Sequence, residues 1–446
     1  DTTGTGSVVF GQSDSVAVDS ETGPVTLVRT EGDINIGAGT NDDDEVGGGI
    51  VLNGGPGTGS TITFRTLDEG SVRFNGAVTL NSDVVITTNG DGDTGTGLGQ
   101  GGDIQFTDVA LIDSQSGEHN DLTLRSGAGS VLFNANIGAS ESLQTLTVED
   151  TTGTGSVVFG QSDSVAVDSE TGPVTLVRTE GDINVGAGTD DDDEVGGGIV
   201  LNGGPGTGST ITFRTLDEGS VRFNGAVTLN SDLVVTTNGD GDTGTGLGQD
   251  GDITFTDVAL IDSQSGEHND VTLRAGVGAV TFNASVGASE SIQSLTIEDT
   301  SGAVTFGGAD AVAVDSATGP VVLVRAEGDI NIGAGSNDDD EVTDGIVLNG
   351  GPGTGSTITF RTLDEGSVRF NGAVTLNSDV VITTNGDGDT GTGLGQGGDI
   401  TFTDVALIDS QSGEHNDVTL RSGAGSVTFN ANVGASESLQ TLTVED

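Results

Sequence analysis

The residues best suited to chemistry in this chain are carboxylates that stand side by side in short clusters. The sequence NDDDE at 41–45 recurs as DDDDE at 190–194 and as NDDDE at 337–341. Adjacent carboxylates repel each other, and Ca²⁺ takes about six to eight oxygen ligands of this kind. The clusters are therefore either calcium sites or solvated acidic loops that keep the protein soluble. The candidate metal ligands are Asp42, Asp43, Asp44, Glu45, Asp191, Asp192, Asp193, Glu194, Asp338, Asp339, Asp340 and Glu341.

A second candidate metal site is the sequence NGDGDTG at 89–95, which is repeated twice more. Its Asn and Asp residues alternate as the first, third and fifth ligands of a calcium-binding loop do. Thr94 stands where such a loop has Gly, and Gln100 stands where it has Glu, so a Gly-rich turn with Asx caps explains the sequence equally well. Asp103 would complete a site if the loop folds back. The candidate ligands are Asn89, Asp91, Asp93, Asn238, Asp240, Asp242, Asn385, Asp387 and Asp389.

Other reactive side chains indicate no catalytic centre. Each SGEHND sequence holds one His, at 119, 268 and 415, which we interpret as a polar loop residue. Arg65 and Arg73 flank TLDEG, so we expect ion pairs with Asp68 or Glu69. The chain has no Lys and no Cys, and nothing marks a pocket for Ser-His-Asp chemistry. We therefore expect that the protein is not an enzyme.

The charge of the chain limits its partners. There are 69 acidic residues against 12 basic ones, which gives a formal net charge of -57. Nucleic-acid binding rests on neutralising phosphates with Lys and Arg, so this class is excluded, and anionic membrane surfaces are excluded by the same sign. No stretch approaches the ~20 apolar residues of a membrane helix, so we expect no membrane insertion. The expected partners are divalent cations and other copies of the repeat or chain.

The chain consists of three near-identical repeats, 1–149, 150–298 and 299–446. The third is two residues shorter near its start, where TTGTGSVVFG became TSGAVTFG. Differences within apolar runs stay apolar, as where Val84 corresponds to Leu233. Copies this similar indicate one physical role repeated three times.

Short β-like runs make up each repeat and must position the acidic loops. Fourteen such runs in the first repeat, among them SVVF at 7–10, TITF at 61–64 and VALI at 109–112, alternate apolar with polar residues and are separated by Asn-Gly and Gly-rich turns. They predict an all-β, parallel β-solenoid of tandem repeats. The alternative is three tandem β-sandwich domains of about one repeat each.

The positions of Phe predict the length of a coil. In the first repeat Phe falls at 10, 64, 74, 106 and 133, and the second repeat opens with Phe159. Counting the step from 10 to 64 as two coils gives coils of roughly 26–32 residues, about five to a repeat, with Phe stacked on Phe along one wall of the core.

A solenoid leaves an unpaired strand edge at each end, and such edges need covering. The chain stops at LQTLTVED, 439–446, and begins with DTTGTGSVVFG, which follows the same residues inside the chain. The sequence therefore predicts a window of a longer array, in which each end meets another repeat.

The strings GDINIGAG, SVRFNGAVTLNSDVVITT and GSVLFNANIG resemble the repetitive passenger or stalk regions of giant bacterial surface proteins. These include filamentous-haemagglutinin-like exoproteins and autotransporter adhesins. The resemblance covers the whole chain and lies in its general character, namely short strands, Asn-Gly turns and an excess of Gly and Thr, with no diagnostic motif. It implies a secreted β-solenoid that serves adhesion or cell–cell contact, although the strong acidity of this chain departs from that character.

Two functions are consistent with these features. The first is a structural repeat segment of an extracellular filament, stalk or sheath at the cell surface, stabilised by coil stacking and by cations at the acidic loops. The alternative is a calcium-dependent adhesin module that binds glycans or a partner cell. A glycan-binding module would expose aromatic side chains in a groove, whereas the Phe residues here stand in strand-like runs.

The calcium hypothesis predicts a thermal shift. Calcium that binds the folded loops but not the unfolded chain stabilises the fold by mass action, so the melting temperature should rise with added CaCl₂ and fall again with a chelator. The triple variant Asp42→Asn, Asp43→Asn, Asp44→Asn is the matched control and should show a smaller shift. A melting temperature that is the same in calcium and in chelator would remove the hypothesis.

Overall fold

The computed structural model describes most of the chain as strands and short turns. No helix occurs among these residues, so they contain no helix that is long and apolar enough to span a lipid bilayer. The described residues are 7–11, 16–19, 25–30, 32–37, 49–54, 60–66, 70–88, 101–107, 109–141, 143–151, 155–160, 165–168, 174–179, 182–186, 198–202, 210–215, 219–237, 251–290, 292–298, 300, 302–307, 312–315, 321–326, 329–333, 345–349, 357–362, 366–384 and 397–445.

The chain has two compact units. The first comprises residues 1–225 and 230–232, and the second comprises 226–229 and 233–446. The first unit contains β1 (Val8–Phe10), β2 (Val16–Asp19), β3 (Val25–Thr30), β4 (Ile34–Ile36), β5 (Ile50–Asn53), β6 (Thr61–Thr66), β7 (Val72–Phe74), β8 (Val78–Leu80), β9 (Asp83–Thr87), β10 (Ile104–Phe106), β11 (Ile112–Ser114), β12 (Asp121–Gly127), β13 (Val131–Phe133), β14 (Thr145–Thr151), β15 (Val157–Phe159), β16 (Val165–Asp168), β17 (Val174–Thr179), β18 (Ile183–Val185), β19 (Ile199–Asn202), β20 (Thr210–Thr215) and β21 (Val221–Phe223).

The second unit continues the same order of short strands. It contains β22 (Val227–Leu229), β23 (Asp232–Thr236), β24 (Ile253–Phe255), β25 (Ile261–Ser263), β26 (Asp270–Arg274), β27 (Val280–Phe282), β28 (Ser294–Ile297), β29 (Val304–Phe306), β30 (Val312–Asp315), β31 (Val321–Ala326), β32 (Ile330–Ile332), β33 (Ile346–Asn349), β34 (Thr357–Thr362), β35 (Val368–Phe370), β36 (Val374–Leu376), β37 (Asp379–Thr383), β38 (Ile400–Phe402), β39 (Ile408–Ser410), β40 (Asp417–Arg421), β41 (Val427–Phe429) and β42 (Thr441–Glu445).

Within each unit the strands are parallel and lie on three faces, because a complete coil contributes one strand to each face. In the first unit, sheet 1 has the order β1-β4-β7-β10-β13-β15-β18-β21 and sheet 2 has the order β3-β6-β9-β12-β14-β17-β20. The third face holds sheet 3, with the order β2-β5-β8-β11, and separately the pair β16-β19. The names sheet 1, sheet 2 and sheet 3 denote the same three faces in the second unit. The register pairs Ile104 with Val131 and Phe106 with Phe133, one coil further on. This parallel pairing confirms the predicted solenoid and excludes sandwiches, whose sheets are antiparallel.

Among the described residues, the fifth coil of each repeat has no strand in sheet 3. A single parallel bridge replaces it, from Ile112 to Ile137 in the first repeat and from Ile408 to Val433 in the third. The first repeat thus has fourteen described strands, β1 to β14, in five coils, as the sequence predicts. The predicted run at 109–112 is displaced: β11 begins at Ile112, since Ala110 N–H donates to the Thr107 carbonyl in a turn.

The buried side chains follow the predicted pattern, in which every second residue of a strand points into the core. In β6, Ile62, Phe64 and Thr66 are buried while Thr61 and Thr63 are partly exposed. Burial of such side chains contributes about 25 cal/mol per Å² of apolar surface. A shift of the register by one residue would expose the apolar side chains of a strand and bury its polar ones. The alternation therefore fixes the register of every coil.

The Phe residues stack along sheet 1, with one departure from the predicted series. The ring centroids of Phe74 and Phe106 lie 4.8 Å apart, and those of Phe106 and Phe133 lie 5.4 Å apart. In the second coil, however, Ile36 pairs with both Phe10 and Phe74. Phe64 lies in sheet 2 and contacts Phe74 edge-on, with an interplanar angle of 89°.

The equal division of the step from Phe10 to Phe64 was therefore wrong. Aligned sheet-1 positions 10 and 36 are 26 residues apart, whereas 36 and 74 are 38 residues apart, beyond the predicted 26–32. The longer coil contains residues 38–48 and 55–59, which lie outside the described residues. Apolar side chains of different size fill the same core position, so Phe spacing alone could not find this coil.

Glycine permits close stacking at the corner between sheets 2 and 1. A Cβ added to Gly102 would collide with the carbonyl oxygen of Gly70 one coil earlier, and one added to Gly129 would collide with that of Gly102. The Gly-rich sequences before the strands of sheet 1 are thus a packing requirement.

The two boundaries between sequence repeats lie inside these units and are packed like any other coil contact. Phe133 and Phe159 stack across the first boundary with centroids 4.9 Å apart, and Phe282 and Phe306 stack across the second at 4.7 Å. The Val131 N–H donates to the Ser156 carbonyl at 2.9 Å, and β14 pairs with β17 with one register shift after Val148. Backbone pairing therefore continues through each boundary.

This continuity predicts the effect of a substitution at the boundary. Phe159→Ala should lower the free energy of unfolding by about 3–5 kcal/mol, as much as Phe106→Ala within a repeat, because both remove a fully buried ring. Denaturant titration measures the free energy of unfolding of both variants. Leu111→Ala is the control and should have a small effect, because Leu111 is 41 % exposed. Independent repeats would instead make Phe159→Ala much milder than Phe106→Ala.

Candidate functional site

The predicted metal ligands lie outside the described residues. Those of the acidic clusters, Asp42–Glu45, Asp191–Glu194 and Asp338–Glu341, fall in the segments 38–48, 187–197 and 334–344. The loops with Asn89, Asp91 and Asp93, with Asn238, Asp240 and Asp242, and with Asn385, Asp387 and Asp389 fall in 89–100, 238–250 and 385–396. Within the described ranges, no three His, Asp or Glu residues are grouped to hold a metal ion. Calcium binding stays a prediction.

The described carboxylates have a role that sequence reasoning missed, which is to accept backbone hydrogen bonds from the next coil. Asp103 Oδ1 accepts the Ser130 N–H at 2.9 Å, and Asp33 Oδ1 accepts the Ser71 N–H at 2.9 Å. The same contact recurs at Asp182, Asp252, Asp329 and Asp399, each at 2.8 Å. These Asp residues precede strands of sheet 1, where the first N–H of the neighbouring coil needs an acceptor.

A sequence signal for these contacts exists. Each of these six Asp residues stands in a Gly-Asp-Ile sequence, at 32–34, 102–104, 181–183, 251–253, 328–330 and 398–400. The residue that donates to it one coil later precedes a strand Val, as Ser130 precedes Val131. Charge-assisted hydrogen bonds of this kind are stronger than neutral ones.

A second row of carboxylates joins coils from within sheet 3, since Asp113 is the middle residue of β11. Asp113 Oδ1 accepts the N–H groups of Ser140 at 3.1 Å and Glu141 at 3.4 Å. Asp262 and Asp409 repeat this arrangement in the other two repeats. Because these contacts reach the coil that has no sheet-3 strand, the carboxylates provide acceptors where the ladder is interrupted.

A third row places two carboxylates on neighbouring coils at the start of sheet 2. Asp83 Oδ1 accepts the Asp121 N–H at 3.0 Å, and Asp121 Oδ1 accepts the Thr145 hydroxyl at 2.6 Å. Desolvation by burial raises the pKa of Asp83 above its ordinary 3.8, and the negative charge of Asp121 raises it further, while the hydrogen bond from the Asp121 N–H opposes both. Ionisation of Asp83 in the folded protein therefore costs stability.

The Arg residues pair between coils where the structure describes their partners. Arg274 Nη2 lies 2.6 Å from Oε1 of Glu298, the residue after β28, and Arg421 Nη2 lies 2.7 Å from Oε1 of Glu445 in β42. The strands β28 and β42 pair with the strands of the two Arg residues, β26 and β40. Both pairs are at the surface, where such pairs contribute ~0–1 kcal/mol. Asp68 and Glu69, the predicted partners of Arg65 and Arg73, lie outside the described residues.

The His residues lie in the turns between sheets 3 and 2. His415 is exposed, and its Nδ1 lies 3.0 Å from the Ser438 carbonyl oxygen in the next coil. This position agrees with the predicted polar loop residue and gives it an inter-coil contact.

One cavity in the second unit lies inside the core. Its volume is ≈ 10 Å³, which is about the minimum that a water molecule needs, and every lining side chain is apolar. It offers no polar group to orient a ligand, so it is a packing gap. Its lining residues are Leu348, Phe370, Val374, Leu376, Val380, Ile382, Phe402, Ile408 and Val418.

The arrangement that the described residues support best is thus one in which successive coils are joined. Phe rings stack inside, backbone ladders surround them, and three rows of Asp lie before strands of sheet 1, within strands of sheet 3 and at the start of strands of sheet 2. In comparisons with known proteins, no family model, no curated protein and no solved structure matches the chain.

The raised pKa of Asp83 predicts a pH-dependent gain from Asp83→Asn. An amide oxygen still accepts the Asp121 N–H, but the half-buried charge is gone, so the variant should unfold at higher denaturant than wild type at pH 7. A carboxyl whose folded-state pKa is raised destabilises the fold only once it ionises. The gain should therefore shrink as the pH falls toward 3.8.

Asp103→Asn is the matched control, because Asp103 is exposed and also accepts one N–H. Denaturant midpoints at both pH values measure the two variants. If Asp83→Asn stabilised the protein at pH 7 no more than Asp103→Asn does, the hypothesis that ionised Asp83 destabilises the fold would be refuted.

Proposed function

We propose that this chain is a structural repeat segment of an extracellular filament, stalk or sheath. Its function is mechanical: coils stack within a repeat, repeats stack upon each other, and the stack holds other components of a cell surface at a distance. The acidic loops collect cations, calcium among them, which screen the charge of the assembly. We place it outside the cell, as the resemblance to secreted surface proteins implies.

The observation that carries the proposal is the packing of the two repeat boundaries. Ring stacking across them is as close as ring stacking within a repeat, at 4.9 and 4.7 Å against 4.8 to 5.4 Å. A flexible string of domains needs few contacts at its joints, whereas a stiff spacer needs joints that resist bending. Adding repeats then adds length without adding hinges.

The burial of the aromatic side chains favours a spacer over a glycan-binding module. Of the fifteen Phe residues, thirteen are buried, and Phe10 and Phe429 are partly exposed in the first and last coils. Phe is the only aromatic residue of the chain, so the rings that would stack on a sugar are committed to the core. No observation favours the adhesin alternative specifically.

The proposal predicts how length depends on the number of repeats. Five coils with a rise of about 4.8 Å each give about 24 Å per repeat. Negative-stain electron microscopy of chains with two, three and four copies should therefore show particles that lengthen by this increment at constant width.

The control is a three-repeat chain with a Gly-Ser linker inserted after Glu149, inside β14 and at the register shift in its pairing with β17. Its particles should bend at one point, because the linker is flexible. Particles that widen with added repeats, or that bend equally with and without the linker, would refute the spacer.

A further inference from the structure

The outward side of sheet 2 carries its charges in separate columns. In β12 the side chains of Asp121, Thr123 and Arg125 are partly exposed, and the residues between them are buried. The strand therefore presents an acid, a neutral residue and a base in the order Asp-x-Thr-x-Arg. Strands β26 and β40 have this order in the other two repeats, with Asp270, Thr272 and Arg274 and with Asp417, Thr419 and Arg421.

Pairing between strands extends these positions into three columns that run from coil to coil. In each repeat the first column holds two Asp, the middle column has no charge, and the third column holds three Arg and one Glu. Four residues separate Asp121 from Arg125, so the outer columns lie about 13 Å apart along the strands. The aligned positions of the first repeat are Val25, Thr61, Asp83, Asp121 and Thr145, then Leu27, Thr63, Val85, Thr123 and Thr147, then Arg29, Arg65, Thr87, Arg125 and Glu149.

This face is balanced in charge although the chain is not. The columns of one repeat hold three acids and three bases, whereas the whole chain has 69 acids and 12 bases. The third column contains nine of the twelve Arg residues, at positions 29, 65, 125, 178, 214, 274, 325, 361 and 421. The bases are thus concentrated where they neutralise the acids of the same face, so a second copy of this face meets no net repulsion from it.

Two such faces fit each other in one orientation. Twisted sheets pack face to face about 10 Å apart, with their strands aligned within about 30°. A two-fold axis parallel to the stacking direction of the coils places the Asp column of each copy opposite the Arg column of the other. A two-fold axis parallel to the strands would instead place Asp opposite Asp and Arg opposite Arg, and such contacts between like charges are unfavourable.

We infer that sheet 2 is a docking surface for sheet 2 of a second copy of this chain, with the coils of both copies stacked in the same direction. The inference deepens the proposed function, on which it rests, by joining spacers side by side. In this arrangement β12 of one copy crosses β12 of the other in the opposite direction. Asp121 then faces Arg125 of the second copy, and the two Thr123 residues face each other. The interface is isologous, so it closes as a dimer.

The first unit alone offers enough surface for such a dimer. Its seven strands of sheet 2, with about five residues each, cover about 550 Å² per copy and 1,100 Å² in all, just above the ~1,000 Å² of a specific interface. The middle column has short side chains at Thr63, Val85, Thr123 and Thr147, so the backbones can approach to the packing distance. Burial of this column contributes affinity, and the charged columns fix the orientation.

The net charge of the chain decides the conditions under which the dimer is measured. Each copy carries a formal net charge of -57, so two copies repel each other at low ionic strength. The Debye length falls from about 30 Å at 0.01 M salt to about 8 Å at 0.15 M. Carboxylates away from the interface are then largely screened, whereas charges in contact within it are screened much less.

The test is sedimentation velocity of the full chain at about 0.15 M salt, where wild type should form a dimer as its concentration rises. A triple variant, Arg125→Glu, Arg274→Glu and Arg421→Glu, should raise the dimer Kd at least about tenfold, because acids then face acids in both outer columns. The complementary variant, Asp121→Arg, Asp270→Arg and Asp417→Arg, should weaken its own dimer equally. Mixed in equal amounts, the two variants should form a dimer with one chain of each, because every reversed column then faces its opposite charge.

The matched control reverses three Arg residues of sheet 1, which are also partly exposed and also occur once per repeat. Arg73→Glu, Arg222→Glu and Arg369→Glu change the net charge by the same amount as the sheet-2 triple variant but leave sheet 2 intact. This control should dimerise as wild type does. Circular dichroism and thermal melts establish that all variants are folded before they are compared.

Each outcome decides the inference. Loss of the dimer in both sheet-2 variants and its return in their mixture would support docking through sheet 2. A wild type that stays monomeric at about 100 µM, an equal loss in the sheet-1 control, or folded variants that fail to pair when mixed would overturn it. Binding of an acidic polymer by monomeric wild type would assign the face to another partner and would overturn it too. The proposed function is tested separately, because the length added per repeat is measured on single chains whether or not they pair.

Discussion

The parallel, in-register ladder between successive coils is the constraint on which the rest of this structure depends. Each coil covers the side chains of the coil before it and forms hydrogen bonds with the backbone groups of that coil. The next coil in turn covers its own side chains and pairs with its own backbone groups. Four-residue runs such as Ile50–Asn53 bury too little surface to be stable alone. Stability is therefore a property of neighbouring coils, and the repeat boundary at Phe133 and Phe159 is no exception.

Charge is arranged so that it does not interrupt this ladder. The chain has 69 acidic residues, and the carboxylates of Asp33, Asp103 and Asp113 accept N–H groups from the next coil. A carboxylate that accepts such hydrogen bonds contributes to cohesion although like charges repel across the whole molecule. At Asp83 this arrangement has a cost, because partial burial raises the pKa of the carboxyl and makes its ionisation less favourable.

The fold was largely readable from the sequence because it depends on a local pattern repeated many times. Alternation of apolar and polar residues along a strand places Ile62 and Phe64 in the core and Thr61 and Thr63 at the surface. Gly, Asn and Asp mark the turns between strands. The second coil was misjudged because Ile36 and Phe74 are interchangeable as core fillers, so the periodicity of one residue type is not the periodicity of the backbone. The hydrogen bonds of Asp103 were missed because they link residues 27 apart in sequence, a distance that only the coil length defines.

The near identity of the repeats has a consequence for how the chain folds. The edge formed by β13 and β14 fits the opening coil of the second repeat, and the opening coil of the third repeat offers almost the same sequence. Loop-closure entropy distinguishes the two weakly, because doubling the intervening loop costs only about 0.6 kcal/mol. A skipped repeat would be left looped out, which makes the mispaired chain a kinetic trap. Emergence of the repeats one after another during synthesis avoids this trap, because the correct neighbour is the only one yet made.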